Sequence, residues 1–129
     1  MSIREQKELP VYFFTGFLEA GKTKFIKESL ADPKFNEGEK TLLILCEEGI
    51  EEYEPEAEYM ANVTIECFDE AEQLTEERLR ARALRSGAER IVVEYNGMWD
   101  LGAFFEAMPA EWTVYQLMFF ADATTILNY

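Results

Sequence analysis

The segment at positions 16–23 reads Gly-Phe-Leu-Glu-Ala-Gly-Lys-Thr and follows the spacing G-x-x-x-x-G-K-[ST]. An apolar and aromatic run at 11–15 precedes it, and helix-compatible residues at 22–30 follow it, ending at Asp32-Pro33. In a strand, glycine loop and helix arranged in this order, the backbone N–H groups of the loop turn inward around a phosphate. Glycines permit the backbone conformation that this turning requires. The sequence therefore predicts a phosphate-binding loop between the first strand and the first helix.

Each residue type in this loop has a predicted task. The predicted phosphate-binding residues are Gly16, Glu19, Ala20, Gly21, Lys22, Thr23 and Lys24. Lys22 would place an ammonium against the β- and γ-phosphates, and we predict it as the catalytic residue because it stabilises charge there. The Thr23 hydroxyl would ligate Mg²⁺, and the helix amino terminus would add partial positive charge.

A second motif contains Glu94 and Gly97. Glu94 ends the run Arg-Ile-Val-Val-Glu at 90–94, a pattern in which the carboxylate holds Mg²⁺ through a water molecule. Gly97 follows three positions later, where a glycine amide would face the γ-phosphate. Without the loop at 16–23, a single acid at a strand end would instead indicate a solvated or salt-bridged side chain.

Seven glutamates lie between positions 47 and 58, directly after the predicted second strand. Charge this dense is typical of a solvated acidic loop, which is the interpretation that we prefer. The alternative is a switch segment that becomes ordered with Mg²⁺ and the γ-phosphate. In that case Glu47 or Glu48 would lie near the metal, because both follow the strand immediately.

Composition limits the classes of partner. The chain has 129 residues, 48% of them hydrophobic, which suits a single nucleotide-binding domain over 1–129. Its formal net charge of −14 repels polyanions, so we expect neither nucleic acid nor anionic membranes as partners. The same charge repels nucleotide, so phosphate binding should depend strongly on Mg²⁺.

The chain has two cysteines, Cys46 and Cys67, and no histidine. Both cysteines fall in predicted buried strands, where they would act as small hydrophobic residues. A closed zinc site within the chain would need Asp or Glu to complete it and is not expected. Positions 1–10 are polar, and the longest apolar stretch, 114–121, is too short to cross a bilayer, so we expect a cytoplasmic location.

Hydrophobic patterning predicts a three-layer P-loop α/β fold, with about five mainly parallel strands and helices on both faces. The predicted strands cover 11–15, 41–46, 63–68, 90–94 and 114–121. A second helix should begin after Thr75 and end at Gly87, and a third should begin after Asp100. The buried stripes of these helices are predicted as Leu79, Ala83 and Leu84 in one, and Leu101, Phe104, Phe105 and Met108 in the other.

Four segments together carry a family resemblance. They are Thr-Gly-Phe-Leu-Glu-Ala-Gly-Lys-Thr at 15–23, Leu-Cys-Glu-Glu-Gly at 45–49, Val-Val-Glu-Tyr-Asn-Gly at 92–97 and Met-Phe-Phe-Ala-Asp-Ala-Thr at 118–124. The chain resembles the CobW-like branch of the P-loop GTPases, which belongs with the nickel-insertion GTPases for urease and hydrogenase. That class has Glu in place of Asp at the start of its third G motif, and Glu94 matches this substitution. The resemblance implies GTP as ligand, Mg²⁺ as cofactor and metal delivery to a metalloprotein client.

The chain departs from that family in three respects. Glu19 and Lys24 stand where the family usually has Gly and a second Thr, which would alter affinity while leaving the loop able to form. The family's Cys-x-Cys-Cys motif is represented at most by Cys67, so transfer of zinc or cobalt is not carried over. The N-K-x-D element that reads guanine is absent from the sequence, which indicates a truncated N-terminal portion of a longer GTPase.

These observations predict Mg²⁺-dependent binding of a nucleoside triphosphate, with GTP favoured by the resemblance, and slow hydrolysis in the intact protein. One alternative is an ATP-using P-loop enzyme or kinase. Another is a non-catalytic truncated fragment that acts as an interaction module through its acidic surface. Sheet surface left exposed by truncation would also allow homodimerisation.

Overall fold

The apolar runs of the sequence become strands of a single sheet. A computed structural model of the protein describes residues 8–16, 22–46, 53–54, 56–122 and 125–128. The strands are β1 Leu9–Gly16, β2 Thr41–Cys46, β3 Val63–Cys67, β4 Arg90–Asn96, β5 Trp112–Asp122 and β6 Thr125–Asn128. The helices are α1 Lys22–Ala31, α2 Glu76–Ser86 and α3 Leu101–Ala107, with short 3₁₀ turns at Glu58–Met60 and Ala71–Gln73. The strand order is β3-β2-β4-β1-β5-β6.

The first five strands are all parallel. β1 pairs with β4 on one side and β5 on the other, while β2 pairs with β4 and β3. This arrangement confirms the predicted α/β class and its parallel sheet. The sequence did not predict β6, which runs antiparallel to β5 after positions 123–124. A connection this short allows an antiparallel return, whereas a parallel strand needs a long crossover.

Successive residues of a strand point to opposite sides of the sheet, so the buried strands supply apolar side chains to both faces. Helices cover both of these faces. The face covered by α1 and the turn at Glu58–Met60 buries Phe14, Ile26, Leu30, Leu43, Leu45, Met60, Val92 and Phe120. The face covered by α2 and α3 buries Val11, Phe13, Leu42, Ile44, Leu79, Ile91, Val93, Phe104 and Trp112. The predicted three layers are therefore present, and the central strands of the sheet are buried on both sides.

The predicted helix ends are confirmed. The Thr75 side chain accepts a hydrogen bond from the Arg78 N–H at 3.2 Å, and Gly87 follows α2 with a left-handed φ of 69°. At the start of α3, the Asp100 carboxylate accepts a hydrogen bond from the Gly102 N–H at 3.1 Å. Caps of this kind satisfy N–H groups that the first turn of a helix leaves unpaired.

Three side chains predicted to be buried are exposed. Leu84 is 75% exposed because it lies five positions after Leu79, which turns it about 140° away around the helix. Leu101 is 39% exposed at the first position of α3. Cys67 is exposed at the end of edge strand β3, whereas Cys46 on central strand β2 is buried as predicted.

At the amino edge of the sheet, the side chain of Arg90 joins three elements. Its Nε donates to Thr41 Oγ1 of β2 at 2.7 Å, and its Nη1 donates to the Phe35 carbonyl in the connection after α1. The guanidinium also lies over the Phe35 ring, 4.2 Å from the ring centroid. Arg90 is buried, and these contacts compensate for the burial of its charge.

Candidate functional site

The candidate site lies at the carboxyl ends of β1 and β4, which is the general location of ligands in parallel sheets with this topology. The two strands are neighbours, but the helices that follow them, α1 and α3, pack on opposite faces. A change of face between adjacent strands opens a crevice beyond their carboxyl ends. The loop at 16–23 begins here, and the motif at 94–97 ends here.

Two glycines pack backbone to backbone at this crevice. Gly16 has a φ of 140°, and a Cβ at this position would lie 2.2 Å from the Phe120 carbonyl oxygen. A Cβ on Gly97 would lie 2.2 Å from the Gly16 carbonyl oxygen. Neither position can carry a side chain unless the backbone moves, so both glycines are required by the fold itself. The predicted contact of Gly97 with a γ-phosphate stays a prediction.

The first turn of α1 brings Thr23 to Glu94. The Thr23 hydroxyl donates to Glu94 Oε2 at 2.7 Å, although 71 positions separate the two residues. Glu94 is 1% exposed. The sequence predicted that Glu94 ends its strand, but β4 continues past it to Asn96. Two of the residues that the sequence assigned to Mg²⁺, Thr23 and Glu94, are therefore in direct contact.

Tyr53 also contacts Glu94, and the sequence prediction missed it. The Tyr53 hydroxyl donates to the other carboxylate oxygen, Glu94 Oε1, at 2.6 Å, and the whole residue is buried. Thr23 and Tyr53 thus approach Glu94 from α1 and from the segment after β2. A tyrosine among the glutamates of 47–58 was a visible signal, but sequence spacing does not show which residue it contacts.

The turn after β4 is fixed by Tyr95. The Tyr95 hydroxyl donates to the Asp100 carbonyl at 2.7 Å, which joins the end of β4 to the start of α3. The Thr15 hydroxyl donates to the Tyr95 carbonyl at 3.4 Å, between β1 and β4. Burial raises the pKa of Tyr95 to about 12, so its hydroxyl remains a donor at neutral pH. These contacts hold the backbone that carries Gly97.

The Glu94 carboxylate suits a divalent cation. Among the side chains that the structure describes, two neutral hydroxyl groups, those of Thr23 and Tyr53, donate hydrogen bonds to this carboxylate. A buried carboxylate that lacks a positive partner is costly, so a cation beside it would be stabilised. Hydroxyl and carboxylate oxygens are hard ligands of the kind that Mg²⁺ prefers. The residues therefore fit Mg²⁺ held by Thr23 and, through water, by Glu94.

Among the residues that the structure describes, acidic ligands do not cluster at this site. Within the described ranges, no group of three or more His, Cys, Asp or Glu side chains could hold a metal ion. Mg²⁺ commonly binds through one or two protein oxygens, with water and substrate phosphates completing its coordination. The arrangement of Thr23 and Glu94 is thus suited to a metal that arrives with a phosphate ligand.

The structure describes only some of the remaining predicted site residues. Lys22 begins α1, but its side chain is outside the described part of the structure, and Lys24 is exposed. The predicted residues outside the described ranges are Glu19, Ala20, Gly21, Glu47 and Glu48. Their contacts with phosphate or metal stay predictions.

Comparison of the chain with models of protein families, with curated proteins and with solved structures finds no match. The resemblance to the CobW-like GTPases therefore stays a hypothesis that rests on the quoted sequence segments. Of the helices in the described ranges, none is both long and apolar enough to pass through a bilayer.

Proposed function

We propose that the chain forms a P-loop domain that binds a nucleoside triphosphate together with Mg²⁺ and hydrolyses it slowly. The proposed site is the crevice at the carboxyl ends of β1 and β4. The observation that carries the proposal is the 2.7 Å contact between the Thr23 hydroxyl and the Glu94 carboxylate. The loop sequence at 16–23 indicates the ligand class, and the two oxygen donors indicate the metal.

The contact supports the proposal because it joins two motifs that are distant in sequence. A chance match to the loop pattern would not require a buried acid beside the hydroxyl of its last residue. Glu94 is buried there, on the sheet face that α1 covers. The crevice between β1 and β4 is also the general location of ligands in sheets with this topology.

Each residue has a defined role in this proposal. Backbone N–H groups of 16–23 and the amino end of α1 bind the phosphate oxygens. Lys22 adds an ammonium that stabilises negative charge at the bridge between the β- and γ-phosphates. Thr23 and Glu94 hold Mg²⁺, which when bound supplies positive charge to the phosphate oxygens. Gly97 offers its N–H to the γ-phosphate.

The preference for GTP and the link to metal delivery rest on the resemblance to the CobW-like family. Under this proposal, the nucleotide state controls the binding of a metalloprotein client. A pull-down with GTP, GDP and no nucleotide tests that coupling. The same partners in all three conditions would contradict it.

Calorimetric titration with GTP, GDP and ATP, each with Mg²⁺ and with excess chelator, tests the binding proposal. We expect GTP and GDP to bind more tightly than ATP, and every nucleotide to bind more weakly in chelator. Lys22→Ala should weaken binding strongly, because an ammonium is lost from the phosphate site.

The matched control is Lys34→Ala, which removes an exposed lysine from the loop after α1 and should bind nucleotide as the wild type does. Absence of binding by all three nucleotides would contradict the proposal. Affinities that do not respond to the chelator would contradict the assignment of Mg²⁺ to Thr23 and Glu94.

A further inference from the structure

The two oxygens of the Glu94 carboxylate have separate partners. Oε2 accepts a hydrogen bond from Thr23 at 2.7 Å, and Oε1 accepts one from Tyr53 at 2.6 Å. A carboxylate held at one oxygen cannot rotate freely, so the Tyr53 contact fixes the direction in which Oε2 faces Thr23. Oε2 is the oxygen beside the proposed metal position.

Tyr53 begins a segment that is attached to α1. We term residues 53–54 and 56–60 the docked segment. Glu54 in this segment accepts hydrogen bonds from Lys27 of α1 at 3.0 Å and from the Tyr59 hydroxyl at 2.7 Å. At the other end of the segment, Met60 is buried in the core that α1 covers. The docked segment thus contacts both α1 and, through Tyr53, the buried carboxylate of β4.

We propose that Tyr53 is a positioning residue for Mg²⁺ and that it couples metal binding at Glu94 to the docking of this segment on α1. The inference rests on the proposed function and deepens it by assigning a regulatory contact to the same site. Tyr53 acts through Glu94 and does not touch the metal. Because such coupling is reciprocal, Mg²⁺ binding stabilises the docked segment as much as docking strengthens Mg²⁺ binding.

The first test compares Tyr53→Phe with Tyr115→Phe, which removes the same hydroxyl from a tyrosine that is 62% exposed on β5. The affinity for GDP is measured by calorimetry over a series of Mg²⁺ concentrations, which gives a Mg²⁺ midpoint for each protein. We expect Tyr53→Phe to require about 10- to 100-fold more Mg²⁺, as is typical when a hydrogen bond to a metal ligand is lost. Tyr115→Phe should match the wild type.

The second test uses the wild-type protein and therefore does not depend on the folding of a variant. Amide hydrogen exchange of the docked segment is measured with GDP, in Mg²⁺ and in excess chelator. We expect slower exchange in Mg²⁺, because metal binding stabilises the docked conformation. In Tyr53→Phe, whose fold is checked by circular dichroism, this difference should disappear.

Equal Mg²⁺ midpoints for the wild type and Tyr53→Phe would overturn the inference. Exchange rates of the wild-type docked segment that do not respond to Mg²⁺ would overturn it as well. Both of these results leave GDP binding, and so the proposed function, intact. Failure of the wild type to bind GDP with and without Mg²⁺ would overturn the proposed function and this inference together.

Discussion

Gly97 lies so close to Gly16 that a Cβ at position 97 would fall 2.2 Å from the Gly16 carbonyl oxygen. The oxygen belongs to the backbone and cannot rotate out of the way as a flexible side chain would. The ends of β1 and β4 therefore have a fixed separation at the candidate site. The loop that begins at Gly16 and the turn that contains Gly97 share this backbone contact.

Gly97→Ala should lower the free energy of unfolding by about 1–3 kcal/mol, because the added methyl group must displace the backbone. Urea denaturation measures the effect. Gly102→Ala is the matched control, because the nearest neighbour of a Cβ there would be Asp100 Oδ1 at 3.6 Å. This control should be neutral or stabilising by up to about 1 kcal/mol, since alanine favours helices. Similar losses of stability in both variants would contradict the prediction.

Glu94→Gln should remove most of the Mg²⁺ dependence of nucleotide binding. The amide keeps the shape of the side chain but removes the negative charge that would attract the metal. We expect the affinity in Mg²⁺ to decrease about 10-fold or more, toward the value in chelator. Calorimetry with GDP measures both values, with Glu28→Gln, at an exposed position on α1, as control for charge. Retention of the full Mg²⁺ effect in Glu94→Gln would exclude this carboxylate as a metal ligand.

Leu79→Ala and Leu84→Ala should differ sharply in stability although both change the same helix. Leu79 is fully buried against the sheet, so its truncation should cost about 2–5 kcal/mol. Leu84 is 75% exposed, and its truncation should change stability by less than about 0.5 kcal/mol. Thermal and urea unfolding of the two variants test the orientation of α2, which would be wrong if Leu84→Ala were the more damaging change.

The contact between Arg80 and Glu111 should make stability depend on pH in the acidic range. Arg80 donates to Glu111 at 2.8 Å through Nε and at 2.9 Å through Nη2, and this lowers the pKa of Glu111 below its ordinary value of 4.5. Folding therefore favours the ionised carboxylate. Its stabilising contribution is fully present above about pH 4.5 and is lost as the pH falls through the lowered pKa.

Glu111→Gln tests this pH dependence. The difference in unfolding free energy between the wild type and Glu111→Gln should be largest near neutral pH and should shrink as the pH falls below 4.5. Urea denaturation at several pH values measures it. Glu106→Gln, at an exposed position of α3, controls for the loss of one negative charge. A difference that stays constant from neutral to acidic pH would show that the ion pair does not stabilise the fold.

The central strands of the sheet could be predicted from the sequence because they are buried on both faces. All six residues of β2 are buried, and a strand of this kind appears in the sequence as a continuous apolar run. β6 has four residues, too short a run to be distinguished from a loop. The exposure of Leu84 could have been predicted from its spacing of five positions from Leu79, because that spacing places the two side chains on different sides of the helix.

The candidate site was predictable to the extent that it is built from local patterns. Thr23 and Glu94 each belong to a motif, so their chemistry is visible before their contact is known. Tyr53 belongs to no motif, and its contact with Glu94 spans 41 positions and depends on how the segment after β2 packs on α1. The contacts of Glu47 and Glu48 stay predictions.

The contacts of Arg90 hold the amino end of the sheet, whereas the candidate site lies at its carboxyl end. At the amino end of the sheet, its guanidinium joins β4 to Thr41 and to the Phe35 backbone, so these contacts restrain the connection from α1 to β2. We therefore expect any rearrangement on ligand binding to occur at the opposite end of the sheet, at the carboxyl ends of the strands. The amino end of the sheet would then keep its structure while the carboxyl end rearranges.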